Sequence, residues 1–578
     1  MILRYIRRKD WFLMIFVVAF ICLQVYLDLE IPGYMTSITT TIQTGGSSDA
    51  VMDDGWKMLA CAFGSLVASM ICGCIGAYIA ANLSTTLRKA QFDNVERFSL
   101  EEIDRFSISS LITRSTNDVT QVQNAIAMGL QVIIKAPILA VWAINKIASK
   151  NMEWMVITVV AVVVIIAMIA VIMFYVVPMF RKVQWLNDDL NRVTKENISG
   201  LRVVRAYNAE KYQEDKFDEA NDAVTGTQIS ITKALAVMSP MMTTVMSCLS
   251  LAIYWIGAII IDGAADKIGK FSDMVVFSSY AMQVIMAFIM LIIIFMIIPR
   301  AMVAAKRIEE VIDTEPSIRD GDIDTADGAE GTVVFNNVSF RYPKSSDYIL
   351  KDVSFEAKKG ETVAFIGSTG SGKTSLINLI PRFYDASEGS VTVDGIDVKE
   401  YRLSSLRRKI GYVPQKAVMF NRTIADNVSY GDSEDDRTLD DVKRAVSIAQ
   451  GTEFVEKNEE QYGRMVSEGG TNLSGGQKQR ISIARAVCRR PEIYIFDDSF
   501  SALDYRTDRT LRTALKKETA GVTSLIVAQR IGTIMDADKI IVLDNGRVAG
   551  IGRHRDLLND CEVYREIAYS QLSEEELQ

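Results

Sequence analysis

The sequence predicts two domains of different fold class: an α-helical membrane domain with six spans and long cytoplasmic helical extensions, followed by a soluble α/β domain. Long apolar runs dominate residues 11–298, as is typical of membrane helices. From residue 331 onward, short apolar runs alternate with charged segments, as is typical of an α/β protein. A chain of 578 residues is also too long for a single domain.

Six segments are long enough to cross a bilayer, whose hydrocarbon core of about 30 Å requires about 20 helical residues. They lie near residues 11–31, 56–82, 128–149, 153–177, 235–261 and 273–298. We assign residues 1–300 to the membrane domain, residues 301–330 to an acidic linker rich in Asp and Gly, and residues 331–578 to the soluble domain.

The distribution of Lys and Arg predicts the orientation of the spans, because cytoplasmic loops carry an excess of these residues. Arg7, Arg8 and Lys9 precede the first apolar run, and no small-residue cleavage site of a secretory signal follows them. The loop 32–54 contains no Lys or Arg, whereas the connection 83–127 contains several. Both termini are therefore expected in the cytoplasm.

Two cytoplasmic connections, residues 83–127 and 178–234, are much longer than turns between helices require. Both contain helix-compatible sequence, so helices two to five are expected to continue beyond the membrane. Lys135, inside the third span, is costly in lipid and is expected to face a cavity or a helix end. The seven cysteines show neither the spacing of metal ligands nor a disulfide framework.

The segment GSTGSGKT follows the apolar run TVAFI and precedes SLINLI, which is the strand–loop–helix context of a phosphate-binding loop. Its residues are Gly367, Ser368, Thr369, Gly370, Ser371, Gly372, Lys373 and Thr374. The glycines allow backbone N–H groups to point at phosphates. In such loops the lysine contacts the β- and γ-phosphates and the Thr hydroxyl binds Mg²⁺, so ATP and Mg²⁺ are the expected ligands.

The segment EIYIFDD predicts a buried strand that ends in acidic residues. Asp497 is expected to help hold Mg²⁺, directly or through water. The next residue, Asp498, occupies the position that normally orients the water that attacks the γ-phosphate.

The segment LSGGQ, beside a phosphate-binding loop, is highly specific. Its residues are Leu473, Ser474, Gly475, Gly476 and Gln477. On these motifs the chain resembles the ATP-binding cassette (ABC) transporters, in particular the exporter-type half-transporters, in which six spans precede one nucleotide-binding domain. The resemblance covers almost the whole chain and implies a P-loop ATPase fold for the soluble α/β domain.

The resemblance also implies roles for residues outside these motifs. Gln415 in GYVPQ matches the Q-loop, where the family couples Mg²⁺ and the γ-phosphate to the membrane domain. Tyr342 in VSFRYP matches the aromatic residue that stacks on adenine. FSISSLITRSTNDV and ENISGLRVVRAYNAE resemble the two intracellular loops whose short coupling helices dock on the nucleotide domains. The D-loop of the family is matched by Ser501, Ala502, Leu503 and Asp504.

In this family two nucleotide domains face head to tail, so that each ATP lies between the phosphate loop of one domain and the LSGGQ of the other. The resemblance therefore implies a dimer with a second half-transporter chain, in the lipid bilayer of a bacterial plasma (inner) membrane. The methionines of residues 231–302 favour, weakly, a small apolar or amphipathic cargo, since methionine is common at adaptable apolar surfaces. We expect no nucleic-acid partner.

Two positions depart from the family pattern: Asp498 replaces the usual Glu, and Gln529 replaces the usual switch His. Asp is one methylene shorter, which moves the carboxylate by about 1 Å, and a displacement of that size costs about 10²-fold in rate. Gln529 can donate an N–H to a phosphate oxygen but cannot become an imidazolium. The site on this chain's own phosphate loop is therefore expected to bind ATP and hydrolyse it slowly, while the intact LSGGQ serves the partner's site.

This combination resembles the degenerate-site subunit of bacterial heterodimeric multidrug exporters, which makes a heterodimeric exporter the leading interpretation. Three alternatives stay open. They are an importer on the same fold, such as a siderophore-type uptake pair, a homodimeric exporter with slow hydrolysis, and a non-transporting, ATP-sensing membrane regulator. The single histidine, His554, matches a separate position and does not replace the switch His.

Overall fold

The computed structural model of the chain describes residues 2–148, 152–324, 331–343, 345–431 and 437–573. The chain forms two units. The first consists of Met1–Asn94 and Ser109–Thr314, and the second of Val95–Ile108 and Glu315–Gln578. A short segment that lies between two long helices in sequence therefore belongs to the second unit.

Helices make up almost all of the described residues up to residue 313. They are α1 (Arg8–Gln43), α2 (Ser48–Val95), α3 (Leu100–Phe106), α4 (Ile108–Thr113), α5 (Val119–Ala148), α6 (Met152–Ser199), α7 (Leu201–Ala206), α8 (Glu210–Asp262) and α9 (Lys267–Asp313). A 3₁₀ turn, Ile2–Tyr5, precedes α1, and a π-helical turn, Arg114–Asp118, lies between α4 and α5.

Within the described residues, six helical stretches are long and apolar enough to cross a membrane. They are Arg8–Gln43, Ser48–Val95, Ile108–Ile147, Met152–Ser199, Glu210–Asp262 and Lys267–Met290. The limits of the predicted spans within these helices stay predictions, and residue 149, the end of the third, lies outside the described residues.

The long helices exceed the thickness of a bilayer. Helices α2 and α6 contain 48 residues each, and α8 contains 53. At about 1.5 Å per residue, a helix of that length measures about 70 Å or more, whereas the hydrocarbon core measures about 30 Å. The long helical extensions predicted from the two connections are therefore confirmed.

The core of the first unit is formed by apolar side chains of the long helices. Trp154 of α6 and Phe277 of α9 are fully buried, and their ring centroids lie 5.3 Å apart. Lys135 of α5 forms an ion pair with Asp28 of α1, with Nζ 3.3 Å from Oδ2. The lysine is thus paired between two helices, which is how intramembrane charges are usually accommodated, and its position at a cavity or helix end stays a prediction.

Several methionines of residues 231–302 contribute to this packing. Met238, Met242 and Met246 of α8 lie against the core of the first unit. These three therefore support helix packing, while Met286 of α9 is 44% exposed.

The linker begins later than the predicted residue 301. Helix α9 continues to Asp313, because the segment AMVAAKRIEEVID contains good helix formers and neither Gly nor Pro. Pro316 then disfavours a helical conformation at Glu315, and the acidic, Gly-containing sequence starts only there. Residues 325–330 of the predicted linker lie outside the described residues.

Helix α3 is held within the second unit by its acidic side chains. Ser99 and Glu102 form a capping box at its N-terminus. Glu102 Oε1 also accepts a hydrogen bond from Ser317 N at 3.1 Å, and the Tyr384 hydroxyl donates to Asp104 Oδ2 at 3.4 Å. Helix α3 ends at Phe106, the first residue of FSISSLITRSTNDV, and docking of the short helices of both predicted intracellular loops stays a prediction.

Two β-sheets with surrounding helices form the rest of the second unit. The strands are β1 (Val333–Phe340), β2 (Leu350–Ala357), β3 (Thr362–Gly367), β4 (Glu388–Val393), β5 (Ile396–Asp397), β6 (Ile410–Val413), β7 (Ile493–Asp497), β8 (Thr523–Val527), β9 (Lys539–Asp544) and β10 (Arg547–Gly552). The helices are α10 (Lys373–Asn378), α11 (Leu403–Arg408), α12 (Ile424–Val428), α13 (Leu439–Ile448), α14 (Thr452–Glu456), α15 (Gly475–Arg489), α16 (Tyr505–Glu518), α17 (Ile531–Ile534), α18 (His554–Asp560) and α19 (Glu562–Gln571), with 3₁₀ turns at Gln461–Gly463 and Glu468–Gly470.

The smaller sheet is antiparallel, with strand order β2-β1-β4-β5. The larger sheet has the order β10-β9-β3-β8-β7-β6, in which only the edge strand β10 is antiparallel to its neighbour. All five residues of β7 are buried, as expected for a parallel strand covered on both faces. The predicted fold class, helical membrane domain followed by an α/β domain, is confirmed.

Candidate nucleotide-binding site

Strands β3, β8 and β7 lie side by side and parallel, so their carboxyl ends share one edge of the sheet. Phe365 of β3 pairs with Val527 of β8, and Val527 lies next to Asp497 of β7. The phosphate loop follows β3, Asp498 follows β7, and Gln529 follows β8. The register of the sheet thus brings three sequence motifs to one place.

The phosphate loop uses glycine where other residues do not fit. Gly370 and Gly372 have φ angles of 85° and 98°, in the left-handed region that favours glycine. A Cβ added at Gly372 would lie 2.7 Å from Leu350 Cδ2 and 3.2 Å from Ile349 O. The loop therefore approaches the start of β2 more closely than any side chain at residue 372 would allow.

The ammonium group of Lys373 lies inside the phosphate loop. Its Nζ donates to the carbonyl oxygens of Gly367 and Ser368, each at 2.8 Å. Burial lowers the pKa of Lys373, and the nearby carboxylates of Asp498 and Asp497 oppose this shift. A part-buried ammonium that is bonded to neutral oxygens gains strongly from an anion, so the loop is suited to a phosphate group.

Thr374 and Asp497 lie at the spacing of two neighbouring magnesium ligands. Thr374 Oγ1 donates to Asp497 Oδ1 at 3.0 Å. Neighbouring ligands of octahedral Mg²⁺ lie about 3 Å apart, because each Mg–O bond measures about 2.0–2.1 Å. Burial raises the pKa of Asp497, which the Thr374 hydrogen bond opposes, and a bound dication would favour the ionised carboxylate.

Asp498 joins the Q-loop to the switch position. Its Oδ2 accepts hydrogen bonds from Gln415 Nε2 at 3.2 Å and from Gln529 Nε2 at 2.8 Å. Asp498 has a positive φ of 45°, is 9% exposed, and its carbonyl oxygen accepts from Ser501 Oγ at 2.9 Å. Burial raises the pKa of Asp498, while hydrogen bonds from Gln415 and Ser501 oppose the shift.

Tyr342 lies beside the phosphate-loop helix α10. Its hydroxyl oxygen is 3.0 Å from Ser375 Oγ, one residue after Thr374. The ring packs edge-on against Phe340 and Tyr384, with centroids 5.0 and 5.2 Å away. Stacking of this ring on adenine stays a prediction.

The LSGGQ segment begins a separate helix, α15. Gln477 N donates to Ser474 Oγ at 3.3 Å and Ser474 N donates to Gln477 Oε1 at 2.9 Å, which forms a capping box. Among the hydrogen bonds of the described residues, none joins this segment to the phosphate loop of the same chain. The segment is therefore compatible with a site completed by another chain.

The D-loop lies between Asp498 and the LSGGQ segment. Ser501 bonds to the Asp498 carbonyl group, and a Cβ added at Gly476 would lie 3.4 Å from Ala502 O. Asp504 caps α16 by accepting from Thr507 N at 2.9 Å, and this hydrogen bond lowers the pKa of Asp504.

Two contacts of the C-terminal helices α18 and α19 lie outside the motifs. Gln571, at the end of α19, bonds to the main chain at Gln529 and Ile531. No motif of the sequence predicted this contact, because it depends on how α19 packs. His554 is buried in α18 with Nδ1 2.7 Å from the Tyr564 hydroxyl, so it joins α18 to α19 and does not replace the switch His.

Comparison with known proteins covers both parts of the chain. Residues 13–310 match the family described as ABC transporter transmembrane region, and residues 350–501 match the family described as ABC transporter.

The chain belongs to the ABC transporter family. An uncharacterized ABC transporter ATP-binding protein of Mycobacterium tuberculosis is 39% identical over 500 residues, which cover 86% of this chain and 85% of that protein. The ATP-dependent lipid A-core flippase of Pseudomonas fluorescens is 32% identical over 494 residues, which cover 85% of this chain and 81% of that protein. The solved structure of a bacterial Atm1-family ABC exporter with ATP bound has the same fold, with a TM-score of 0.81 at 24% identity over 98% of this chain and 99% of that one.

This ABC transporter is thus an exporter-type half-transporter, as the motifs predicted. It is a multi-pass protein of the plasma (inner) membrane, binds ATP through its second unit, couples ATP hydrolysis to transport and acts as a dimer.

Proposed function

We propose that this ABC transporter is one subunit of a heterodimeric exporter. Its own ATP site hydrolyses slowly, and its LSGGQ completes the fast site of the partner chain. The observation that carries the proposal is the pair Asp498 and Gln529, which stand where the family has Glu and His and which are joined by a hydrogen bond of 2.8 Å.

The geometry around Asp498 supports slow hydrolysis. Its Oδ2 accepts hydrogen bonds from Gln415 and Gln529, which hold the carboxylate in place at the end of the shorter side chain. The shorter side chain also holds its carboxylate about 1 Å further from the water, and a displacement of that size costs about 10²-fold in rate. Such a site retains nucleotide and turns it over slowly.

The site residues follow from the same proposal. In this chain's own site, Mg²⁺ is held by Thr374, Gln415 and Asp497, and Tyr342 stacks on adenine. The phosphates are held by the loop residues Gly367, Ser368, Thr369, Gly370, Ser371, Gly372, Lys373 and Thr374. The partner's ATP is contacted by the signature and D-loop of this chain, Leu473, Ser474, Gly475, Gly476, Gln477, Ser501, Ala502, Leu503 and Asp504.

We further propose that the cargo is a small apolar or amphipathic compound and that both termini are cytoplasmic. The lipid A-core flippase of Pseudomonas fluorescens, whose named cargo is amphipathic, supports the cargo class. The basic N-terminal segment, with Arg7, Arg8 and Lys9, supports the orientation.

The test compares the ATPase rate of the purified chain alone with that of the chain copurified with a half-transporter that carries Glu and His at the positions corresponding to 498 and 529. We expect the pair to turn over about 10²-fold faster, because only the partner's phosphate loop then has a complete catalytic set. A Lys373→Ala variant of the chain provides the background rate. Comparable turnover of the chain alone would contradict the heterodimer and favour a homodimer.

A further inference from the structure

The side chain of Gln571 forms two hydrogen bonds with the main chain of the switch segment, residues 529–531. Its Oε1 accepts a hydrogen bond from Ile531 N at 2.8 Å, and its Nε2 donates to Gln529 O at 2.8 Å. One side-chain amide therefore forms hydrogen bonds with a main-chain N–H group and a main-chain carbonyl group, which lie on the two sides of Arg530. A neighbouring β-strand would satisfy main-chain groups in the same way.

The contact with Ile531 replaces a missing helix cap. Ile531 is the first residue of α17, and the N-cap residue Arg530 makes no side-chain capping hydrogen bond. The first N–H groups of a helix have no partner within the helix. Gln571, 40 residues further along the chain, supplies the acceptor.

Helix α19 is anchored firmly enough to hold this position. Tyr564 is fully buried and its hydroxyl lies 2.7 Å from His554 Nδ1. Ala568, one turn before the end of the helix, is also fully buried, in the same apolar cluster as Ile531. Gln571 thus projects from a packed element, which is what a precisely placed functional group requires.

Gln529 follows the end of β8, and its side chain is not held by packing. Its side chain is exposed, whereas its partner Asp498 is 9% exposed. The position of the Gln529 amide against Asp498 Oδ2 therefore depends on where the main chain at residue 529 is held, and Gln571 bonds to that main chain directly.

We propose that Gln571 is a positioning residue of the nucleotide site, through which the C-terminal helix sets the side chain of Gln529 against Asp498. The inference rests on the proposed function in one respect, since it concerns the site assigned there as slow. It adds that the geometry of this site is controlled by α19, outside every nucleotide-binding motif.

The first test measures hydrogen exchange at the amide of Ile531 in the full-length chain. Gln571→Leu removes both hydrogen bonds of the side chain, so exchange at Ile531 is expected to become about tenfold faster, the effect of losing one ordinary hydrogen bond. Ser570→Ala is the matched control, because Ser570 bonds only within α19, to Ile567 O, and exchange at Ile531 should not change. Unchanged exchange in Gln571→Leu would overturn the proposal.

The second test measures single-turnover ATP hydrolysis in this chain's own site, in a pair whose partner has its catalytic Glu replaced by Gln. Gln571→Leu is expected to lower the rate about tenfold, because Gln529 loses its placement. Gln571→Glu keeps the acceptor for Ile531 N, but its ionised form cannot donate to Gln529 O. Its rate relative to wild type should therefore recover only as the pH falls toward the ordinary glutamate pKa of about 4.3, where the carboxyl group takes up a proton.

The recovery with pH separates positioning from a general loss of structure, which lower pH would not repair. A Gln571→Glu rate that equals the wild-type rate at every pH would overturn the proposal, and this variant keeps the test valid should the Leu variant fail to fold. The exchange result does not depend on which site is fast. Rapid hydrolysis in the wild-type site with altered exchange in Gln571→Leu would therefore reject the proposed function alone.

Discussion

Asp498 shows how much of the chemistry of this transporter depends on single residues. Its Oδ2 accepts hydrogen bonds from both Gln415 and Gln529, and burial raises the pKa of the carboxyl group. A longer Glu at this position would extend beyond the two amides toward the γ-phosphate. A His at 529 would add a group able to carry a positive charge near neutral pH.

Restoring both residues, with Asp498→Glu and Gln529→His, should therefore raise hydrolysis in this chain's own site. We expect an increase of about tenfold or more but not full turnover, because placement of the γ-phosphate also depends on the partner's signature. The measurement is ATPase activity in a pair whose partner has its catalytic Glu replaced by Gln, so that the remaining activity belongs to this site.

The matched control is Asp498→Gln with Gln529→His, in which residue 498 has the length of Glu without its charge; its rate should not rise above that of the unmodified site. An unchanged rate in the Glu and His variant would show that these two residues do not limit the site. A rate equal to that of the wild-type pair would show that the partner's signature is intact. This result would contradict the asymmetric arrangement of one slow and one fast site.

At the scale of elements, α15 carries the LSGGQ segment at its N-terminus, and no described hydrogen bond joins this segment to the phosphate loop of the same chain. A Cβ added at Gly475 meets no atom within 4 Å in this chain. An acidic residue at the first position of a helix also does not disturb the helix, since the macrodipole favours negative charge there. A defect caused by a carboxylate at this position would therefore report on a ligand supplied by the partner.

In the assembled pair, Gly475→Glu is expected to lower ATPase turnover about tenfold or more, because the carboxylate repels the γ-phosphate bound by the partner. Asp498→Asn should lower it less than about twofold, since it affects the slow site only. Gly475→Ala is the size control and should stay close to wild type. The proposal fails if Asp498→Asn abolishes turnover and Gly475→Glu does not.

Helix α3 offers a second element whose contacts have a defined pH dependence. Glu102 Oε2 accepts from Ser99 N at 2.8 Å, and Oε1 accepts from Ser317 N at 3.1 Å. Burial alone would raise the pKa of Glu102, but the hydrogen bonds from Ser99 and Ser317 outweigh it, and the pKa is lowered. The ionised form is thus favoured in the folded state, and its stabilisation is lost as the pH falls through this lowered pKa.

Glu102→Gln is therefore expected to destabilise the protein by about 1 kcal/mol at neutral pH, because one amide cannot accept both main-chain hydrogen bonds equally well. The difference from wild type should shrink as the pH falls below about 4.3, the ordinary glutamate pKa, and vanish only below the lowered pKa of the folded state, where Glu102 is protonated in both states. Thermal unfolding of the purified protein across this pH range measures it, with Glu101→Gln as the control. A difference that persists at low pH would contradict the role of the Glu102 charge.

At the scale of the whole molecule, the orientation in the membrane decides which surfaces meet ATP and which meet the outside. Gly45 follows α1 and Gly226 lies within the long helix α8, and both are exposed. In the proposed orientation, the first loop lies outside and the extension of α8 lies in the cytoplasm.

In a chain whose seven cysteines have been replaced, Gly45→Cys should react with a membrane-impermeant maleimide in intact cells, whereas Gly226→Cys should react only after the membrane is opened. Both residues are exposed and have polar neighbours in sequence. A difference in labelling therefore shows on which side of the membrane each residue lies. The reverse pattern would contradict cytoplasmic termini.

The sequence by itself determined the two-part architecture, the family and the positions of the nucleotide motifs. Apolar runs of about 20 residues have few stable states other than spanning helices, and GSTGSGKT and LSGGQ are local patterns whose spacing carries their chemistry. The linker starts later than the predicted residue 301, because residues 301–313 have a high helix propensity and extend α9 up to the acidic segment.

Only the tertiary structure decided which side chains meet. Gln415 and Gln529 both donate hydrogen bonds to one oxygen of Asp498, and Gln529 reaches it because β7 and β8 are neighbours in register. Lys135 forms an ion pair with Asp28 because α1 and α5 pack together. The contact of Gln571 with the switch segment spans 40 residues and depends on the burial of α19. Local sequence constrains local conformation, whereas such contacts arise from the packing of distant segments, which no single stretch of sequence encodes.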